Sequence, residues 1–174
     1  GMETAYFRYS EQDGFDEGKV FGAGLAMIAL VLAGMGLLVL LFQDALLHSL
    51  RWENTPEYLY YFLAILALDA LSALPFARLR RNNKAVRFAG IKLALIFSNV
   101  LINLYIFLPA YWEQHGSMGY WSHEMRGVGY IFIANFWASV VMFALLLPTL
   151  FPLKLNLDKK YVKTLLIFGI PLLI

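Results

Sequence analysis

Cysteine is missing from all 174 residues. That excludes disulfides and thiolate metal sites, and it leaves the redox compartment unreadable. Charge is also sparse: Asp, Glu, Lys and Arg make up 15% of the chain, against about 25% in a soluble domain. No hydrophilic stretch is long enough to build a separate soluble domain, and the longest polar run, 8–19, reads as a loop or helix extension. There is no Gly-rich phosphate loop before a basic residue, no HExxH and no nucleophile with an obvious base, so nothing supports intrinsic enzymatic activity or ATP hydrolysis. His48, His115 and His123 fall between the apolar runs, and Glu113, His115, His123 and Glu124 are the one set that could in principle bind a metal. The gap of eight from His115 to His123 matches no helical ligand spacing, so no metal site is expected. The opening GMETAYFRYS lacks the basic start and apolar core of a signal peptide.

Long apolar runs are what the chain has, at 60% hydrophobic residues overall. Residues 20–42 carry no charge, 58–77 carry one, and 93–112 and 127–153 carry none. A helix needs about 20 apolar residues to match a hydrocarbon core about 30 Å thick. Only a helix satisfies its own backbone while placing that much apolar chain in lipid, a closed barrel being the one other solution. The expected fold class is therefore all-α: a polytopic transmembrane helix bundle with four full spans and partial helices at both ends. A further helix is expected to begin over 163–174. After Leu165 about ten apolar residues remain, too few to span, so the sequence reads as a piece of a longer protein; a short interfacial helix is the alternative.

All fourteen Lys and Arg lie outside these four runs. Arg8, Lys19, Arg78, Arg80, Arg81, Lys84, Arg87, Lys92, Lys154, Lys159, Lys160 and Lys163 fall on one side of the alternating topology, and only Arg51 and Arg126 on the other. The basic side is expected to be cytoplasmic. Trp52, Tyr58, Tyr60, Tyr61, Tyr111, Trp112, Tyr120 and Trp121 read as an aromatic belt on the outer face. The basic stretch 78–92 is better explained by orientation and anionic lipid headgroups than by nucleic acid.

Small residues at Gly22, Ala26, Ala29, Ala33 and Gly36 share one face of the first run, and Ala70, Ala73 and Ala77 form a similar stripe in the second; both predict close helix–helix seams. Pro75 is expected to kink its helix, and Pro148 and Pro152 to bend or end theirs. Asp69 is the one ionisable residue clearly inside a run. A carboxylate there must face protein or water, either as a proton, cation or substrate contact or as a structural group. Ser72 shares its face. Asn99 and Asn103, with Ser98, form a polar stripe on the third run, and Asn135 and Ser139 do so on the fourth. These either bond helices together or line an aqueous path. Lys92 is expected to snorkel to the cytoplasmic interface. If residues 1–8 end an earlier span, Glu3 and Arg8 lie near its cytoplasmic end, where Arg8 is suited to phosphate; the alternative is an interfacial pair.

The segments GMETAYFRYS, LALDALSALPFARLRRNNKAVRFAGIKLALIFSNVLINLYIF and GVGYIFIANFWASVVMFALLLP, in that order, resemble polysaccharide biosynthesis proteins of the O-antigen flippase type. These belong to the multidrug/oligosaccharidyl-lipid/polysaccharide exporter superfamily. The resemblance covers essentially the whole chain. It implies half of a two-bundle transporter of about twelve to fourteen helices, built from internal repeats around a central site. It implies transport of undecaprenyl-diphosphate-linked oligosaccharide across the bacterial inner membrane by alternating access, without an organic cofactor and with coupling to protons or sodium. Membrane lipids and a polysaccharide polymerase are the implied partners. On that resemblance the cavity candidates are Glu3, Arg8, Asp69, Asn99, Asn103 and Asn135. A cation-coupled drug exporter of the same superfamily and a non-transporting membrane scaffold are the alternatives.

Overall fold

The computed structural model describes residues 2–12, 14–107, 128–151, 161 and 165. Tyr111, Trp112, Glu113, His115, Tyr120, Trp121, His123, Glu124, Arg126, Pro152 and the lysines at 154, 159, 160 and 163 lie outside them. The described residues are helical with no strand. The helices are α1 (Met2–Ser10), α2 (Glu17–Leu41), α3 (Gln43–Leu50), α4 (Glu57–Arg81), α5 (Ala85–Phe107) and α6 (Val128–Leu150). Four of them, α2, α4, α5 and α6, are long and apolar enough to cross a membrane.

The helices start and stop where the backbone chemistry directs. Asp16 caps α2, its Oδ1 accepting from the Gly18 amide at 2.8 Å, which satisfies one of the orphan donors of the first turn. The expected basic loop 78–92 is mostly helix. Arg78, Arg80 and Arg81 form the last turn of α4, while Arg87 and Lys92 lie on α5. Only Asn82, Asn83 and Lys84 connect them. The turn is tight because the Asn83 amide donates to Arg80 O and the Lys84 amide to Leu79 O, with Asn83 left-handed at φ 53°. This is the Schellman closure, and Asn tolerates its positive φ. The segment between the first two spans, expected as a loop, holds the helix α3. It ends by the same closure, with Arg51 at φ 56° and the Trp52 amide donating to Leu47 O.

α6 packs along both α4 and α5, and α1 rests across the neighbouring ends of α2 and α4. One core gathers Ala5, Tyr6, Phe21, Ala23, Leu74, Ala77 and Leu150 at that end. Tyr161 and Leu165, one helical turn apart, join it, and Tyr161 meets Phe15 edge-on at 5.5 Å. The rest of the helix expected over 163–174 lies outside the described residues. A second core holds Phe76, Leu79, Ile91, Met142 and Leu146. α4 continues through the buried Pro75 to Arg81, and α6 through Pro148 to Leu150.

The small-residue seam of α2 is shorter than the stripe predicts. Gly22 is buried, but Ala29 and Ala33 are exposed. The reason is that α2 buries only Val20–Gly24 and Met27, near its start, while Leu30, Val31, Leu37, Leu38, Leu40 and Leu41 face outward. The close contact comes from a glycine off the stripe. A Cβ on Gly24 would lie 2.9 Å from Leu74 Cδ1, and Leu74, 1% exposed, has little room to swing aside. Gly24→Val should therefore cost about 2 kcal/mol through overpacking. Gly34, whose Cβ position meets nothing within 4 Å, should gain about 0.5 kcal/mol as Ala from helix propensity. Thermal unfolding of the two variants in one detergent should move in opposite directions; equal melting temperatures would place the seam elsewhere.

Candidate functional site

Where α1, α4, α5 and α6 converge, a cavity of about 330 Å³ is lined by Glu3, Asp69, Ser72, Ala73, Phe76, Arg80, Phe88, Lys92, Leu95 and Met142. Each polar group is brought there by helical spacing. Asp69, Ala73, Phe76 and Arg80 recur at intervals of three or four on α4, with Ser72 beside Ala73, so they fall along one stripe. Phe88, Lys92 and Leu95 do the same on α5. Glu3 enters from the first turn of α1.

The charges inside are unevenly paired. Arg80 Nη2 donates to Glu3 Oε2 at 2.7 Å, and its guanidinium also approaches the rings of Phe7 and Phe88 at 5.8 and 5.7 Å. Lys92 Nζ lies 4.4 Å from the centre of the Phe76 ring. A cation over an aromatic face gains from the ring quadrupole but keeps its full charge. No carboxylate lies within ion-pair distance of Lys92 among the described residues. Lys92 is thus part of the cavity wall while its residue stays exposed. Asp69 is exposed, and its Oδ1 accepts from Ser139 Oγ on α6 at 3.1 Å. Ser72 points elsewhere and donates back to Leu68 O at 2.7 Å, so it contributes surface rather than a binding hydroxyl. The site joins two cations and two carboxylates to a largely apolar wall, which suits a molecule with a charged head and a greasy body.

The remaining expected site residues sit differently. Asn99 Nδ2 donates to Asn135 Oδ1 across α5 and α6, and Asn103 Nδ2 donates to Asn99 O and Oδ1 at 2.8 Å. Asn135 Nδ2 donates back to Ile131 O at 3.0 Å. The three amides consume one another's hydrogen-bonding groups and do not line the cavity; they join two helices in the way polar side chains do in lipid. Arg8 is also outside the cavity lining. α1 turns Ala5, Tyr6 and Ser10 inward and leaves Arg8 on its exposed side. In the aromatic belt, Tyr58 is buried and stacks on Phe132 at 5.5 Å, and Trp52 meets both rings edge-on. Tyr58 and Trp52 both pack against Phe132 of α6.

A second polar cluster, centred on Glu17, was not visible in the sequence as a site. Its carboxylate accepts from Tyr6 Oη at 2.8 Å, from Arg81 Nη1 at 2.8 Å, and pairs with Arg78 Nε at 3.4 Å. The side chains of Arg78, Arg81 and Glu17 are only 15%, 22% and 31% exposed. Arg78 also donates to Thr149 O on α6 at 2.9 Å and sits 4.8 Å over the Phe21 ring, and Arg81 donates to Ser10 O at 2.8 Å. Burial, and then donation to the Glu17 carboxylate, hold the Tyr6 phenol protonated well above its ordinary range. Two of the six cations assigned to the basic loop therefore fold inward and tie α1, α2, α4 and α6 together. The sequence holds part of the signal: Arg78 and Arg81 are three apart on one face of α4.

No family model, curated protein or solved structure matches the chain.

Proposed function

We propose that this chain is part of a multi-pass transporter of the bacterial inner membrane that moves a lipid-linked oligosaccharide diphosphate between leaflets by alternating access. The reading rests on the resemblance of its ordered segments to O-antigen flippases. One observation carries it: a cavity at the arginine-rich end joins Lys92, Arg80, Asp69 and Glu3 to an apolar wall of Phe76, Phe88, Leu95 and Met142. A diphosphate needs cations, a sugar needs hydrogen-bonding groups, and a prenyl chain needs apolar surface; the cavity lining includes side chains of each kind. Asp69, hydrogen-bonded by Ser139, is the group we assign to proton or sodium coupling, since an intramembrane carboxylate costs several kcal/mol unless it does such work or is compensated. A polysaccharide polymerase acting on the transferred lipid is the partner this role calls for.

The test is deletion of the encoding gene in a strain lacking paralogues. Lipid-linked oligosaccharide should accumulate on the cytoplasmic leaflet, and surface polysaccharide should disappear until the gene is restored. Asp69→Asn, expressed at the normal level, should fail to restore it. Unchanged surface polysaccharide in the deletion strain would overturn the proposal.

A further inference from the structure

We infer that the groove at the opposite end of the bundle from Arg78, Arg80 and Arg81 binds an organic ammonium group. The groove has a volume of about 350 Å³ and is lined by Glu57, Tyr60, Tyr61, Ala64 and Phe136. Its character is set by what surrounds it. Glu57, in the first turn of α4, is exposed, and no Lys or Arg lies within ion-pair distance of it among the described residues. Tyr61 and Phe136 meet at 5.7 Å with their planes 66° apart, forming an aromatic corner between α4 and α6. Tyr60, 46% exposed, is held at the edge because its hydroxyl donates to Gln43 Oε1 on α3 at 2.8 Å.

The groove is bounded by three aromatic side chains, Tyr60, Tyr61 and Phe136, whose ring faces attract cations, and the Glu57 carboxylate adds a full negative charge. Among the described residues no basic side chain lines the groove. An anion is repelled from such a wall, while a cation with an apolar coat gains from every component of it. Aromatic faces around a carboxylate are the recurring solution for alkylated ammonium groups. The contrast with the other end is chemical: that cavity holds Arg80 and Lys92 and suits an anion, whereas this one suits a cation. The inference stands whether or not the chain moves lipid-linked sugars. Two sources supply the same chemistry: the ammonium headgroup of a phospholipid in the facing leaflet, or a soluble organic cation.

Choline is the probe, observed by saturation-transfer NMR on the full chain in phosphatidylglycerol nanodiscs. Binding should saturate. Glu57→Gln and Tyr61→Leu should each weaken it by about tenfold or more, the loss of one desolvated charge or cation–π contact, while Tyr61→Phe should bind like the wild type. The neutral isostere 3,3-dimethyl-1-butanol should bind at least about tenfold more weakly, because it has the shape without the charge. Repeating the titration in phosphatidylethanolamine nanodiscs separates the sources: lost choline binding identifies a lipid headgroup as the occupant, and unchanged binding identifies a soluble cation. Three results would each overturn the assignment: no saturable choline binding in phosphatidylglycerol, equal binding of the neutral isostere, or unchanged affinity in both Glu57→Gln and Tyr61→Leu.

Discussion

Glu17→Ala should lower the melting temperature of the detergent-solubilised protein more than any other single charge removal among the described residues. The carboxylate is the shared acceptor for Tyr6, Arg81 and Arg78. Its loss leaves two guanidinium groups largely out of water with no counter-charge. Breaking a buried pair from one side costs about 3 to 5 kcal/mol. Here Arg78 keeps the Thr149 carbonyl and Arg81 keeps the Ser10 carbonyl, and the carboxylate is partly exposed, so about 2 to 3 kcal/mol is expected. Tyr6→Phe removes one neutral donor to the same carboxylate and should cost only about 1 kcal/mol. The order of the two variants matters more than either value. A double-mutant cycle of Glu17→Gln with Arg81→Gln should return a coupling of about 1 to 3 kcal/mol, little changed by added salt because a partly buried pair is weakly screened. A Glu17→Ala protein that melts with the wild type would mean the cluster is a solvated surface arrangement, not a fastener.

That Glu17 escaped notice while the four spans did not follows from how each is encoded. A span is written locally: about twenty apolar residues in a row declare themselves without reference to the rest of the chain. The described ends of α2, α4, α5 and α6 fall within a few residues of the apolar limits at most ends, and α4 and α5 run past theirs at the arginine-rich end because Arg78, Arg80, Arg81 and Arg87 are good helix residues that need only water or a carboxylate at their tips. Charge counting treated those arginines as a loop property, which fits their side of the topology but not their direction. Whether Arg78 points at lipid headgroups or at Glu17 depends on where α1 and α2 lie, and no local pattern states that. Asp69 was legible as a site residue because an ionisable group in a span has few permissible surroundings. The asparagines were legible as polar and interhelical, but the choice between a lining and a fastening role turned on whether Asn99 and Asn135 meet across α5 and α6. α3 was hidden because QDALLHSL is too short to show a helical period. The α2 stripe misled in the opposite way: small residues permit close packing, but a neighbour must be present to use it, and Ala29 and Ala33 are exposed.

On the proposed transport role, Lys92→Gln should reduce flipping of a diphosphate-linked substrate by about tenfold to a hundredfold, with the folded protein intact. Arg80 and Lys92 line the cavity together, but they are not equivalent. Arg80 is bound to Glu3 at 2.7 Å, so a phosphate must compete with that carboxylate or bind beside a nearly neutral pair. Lys92 rests on the Phe76 ring at 4.4 Å and can turn its ammonium to an anion without breaking an ion pair. A hydrogen bond to a charged partner is worth about 1.5 to 3 kcal/mol, which at 1.4 kcal/mol per decade gives the stated loss. Lys92→Arg keeps the charge and the reach and should retain most activity, although its planar fork stacks on Phe76 differently. Arg80→Gln should behave otherwise: Glu3 is left beside the cavity without its partner, so the substrate meets one cation fewer and one carboxylate more, and the loss should partly recover in Glu3→Gln/Arg80→Gln. Flipping measured in proteoliposomes with a fluorescent diphosphate-prenyl sugar separates these cases, because a binding defect is overcome at high substrate and a fold defect is not. If Lys92→Gln flips at the wild-type rate at low substrate, the ammonium is an interfacial anchor and the anion must be held elsewhere in the protein.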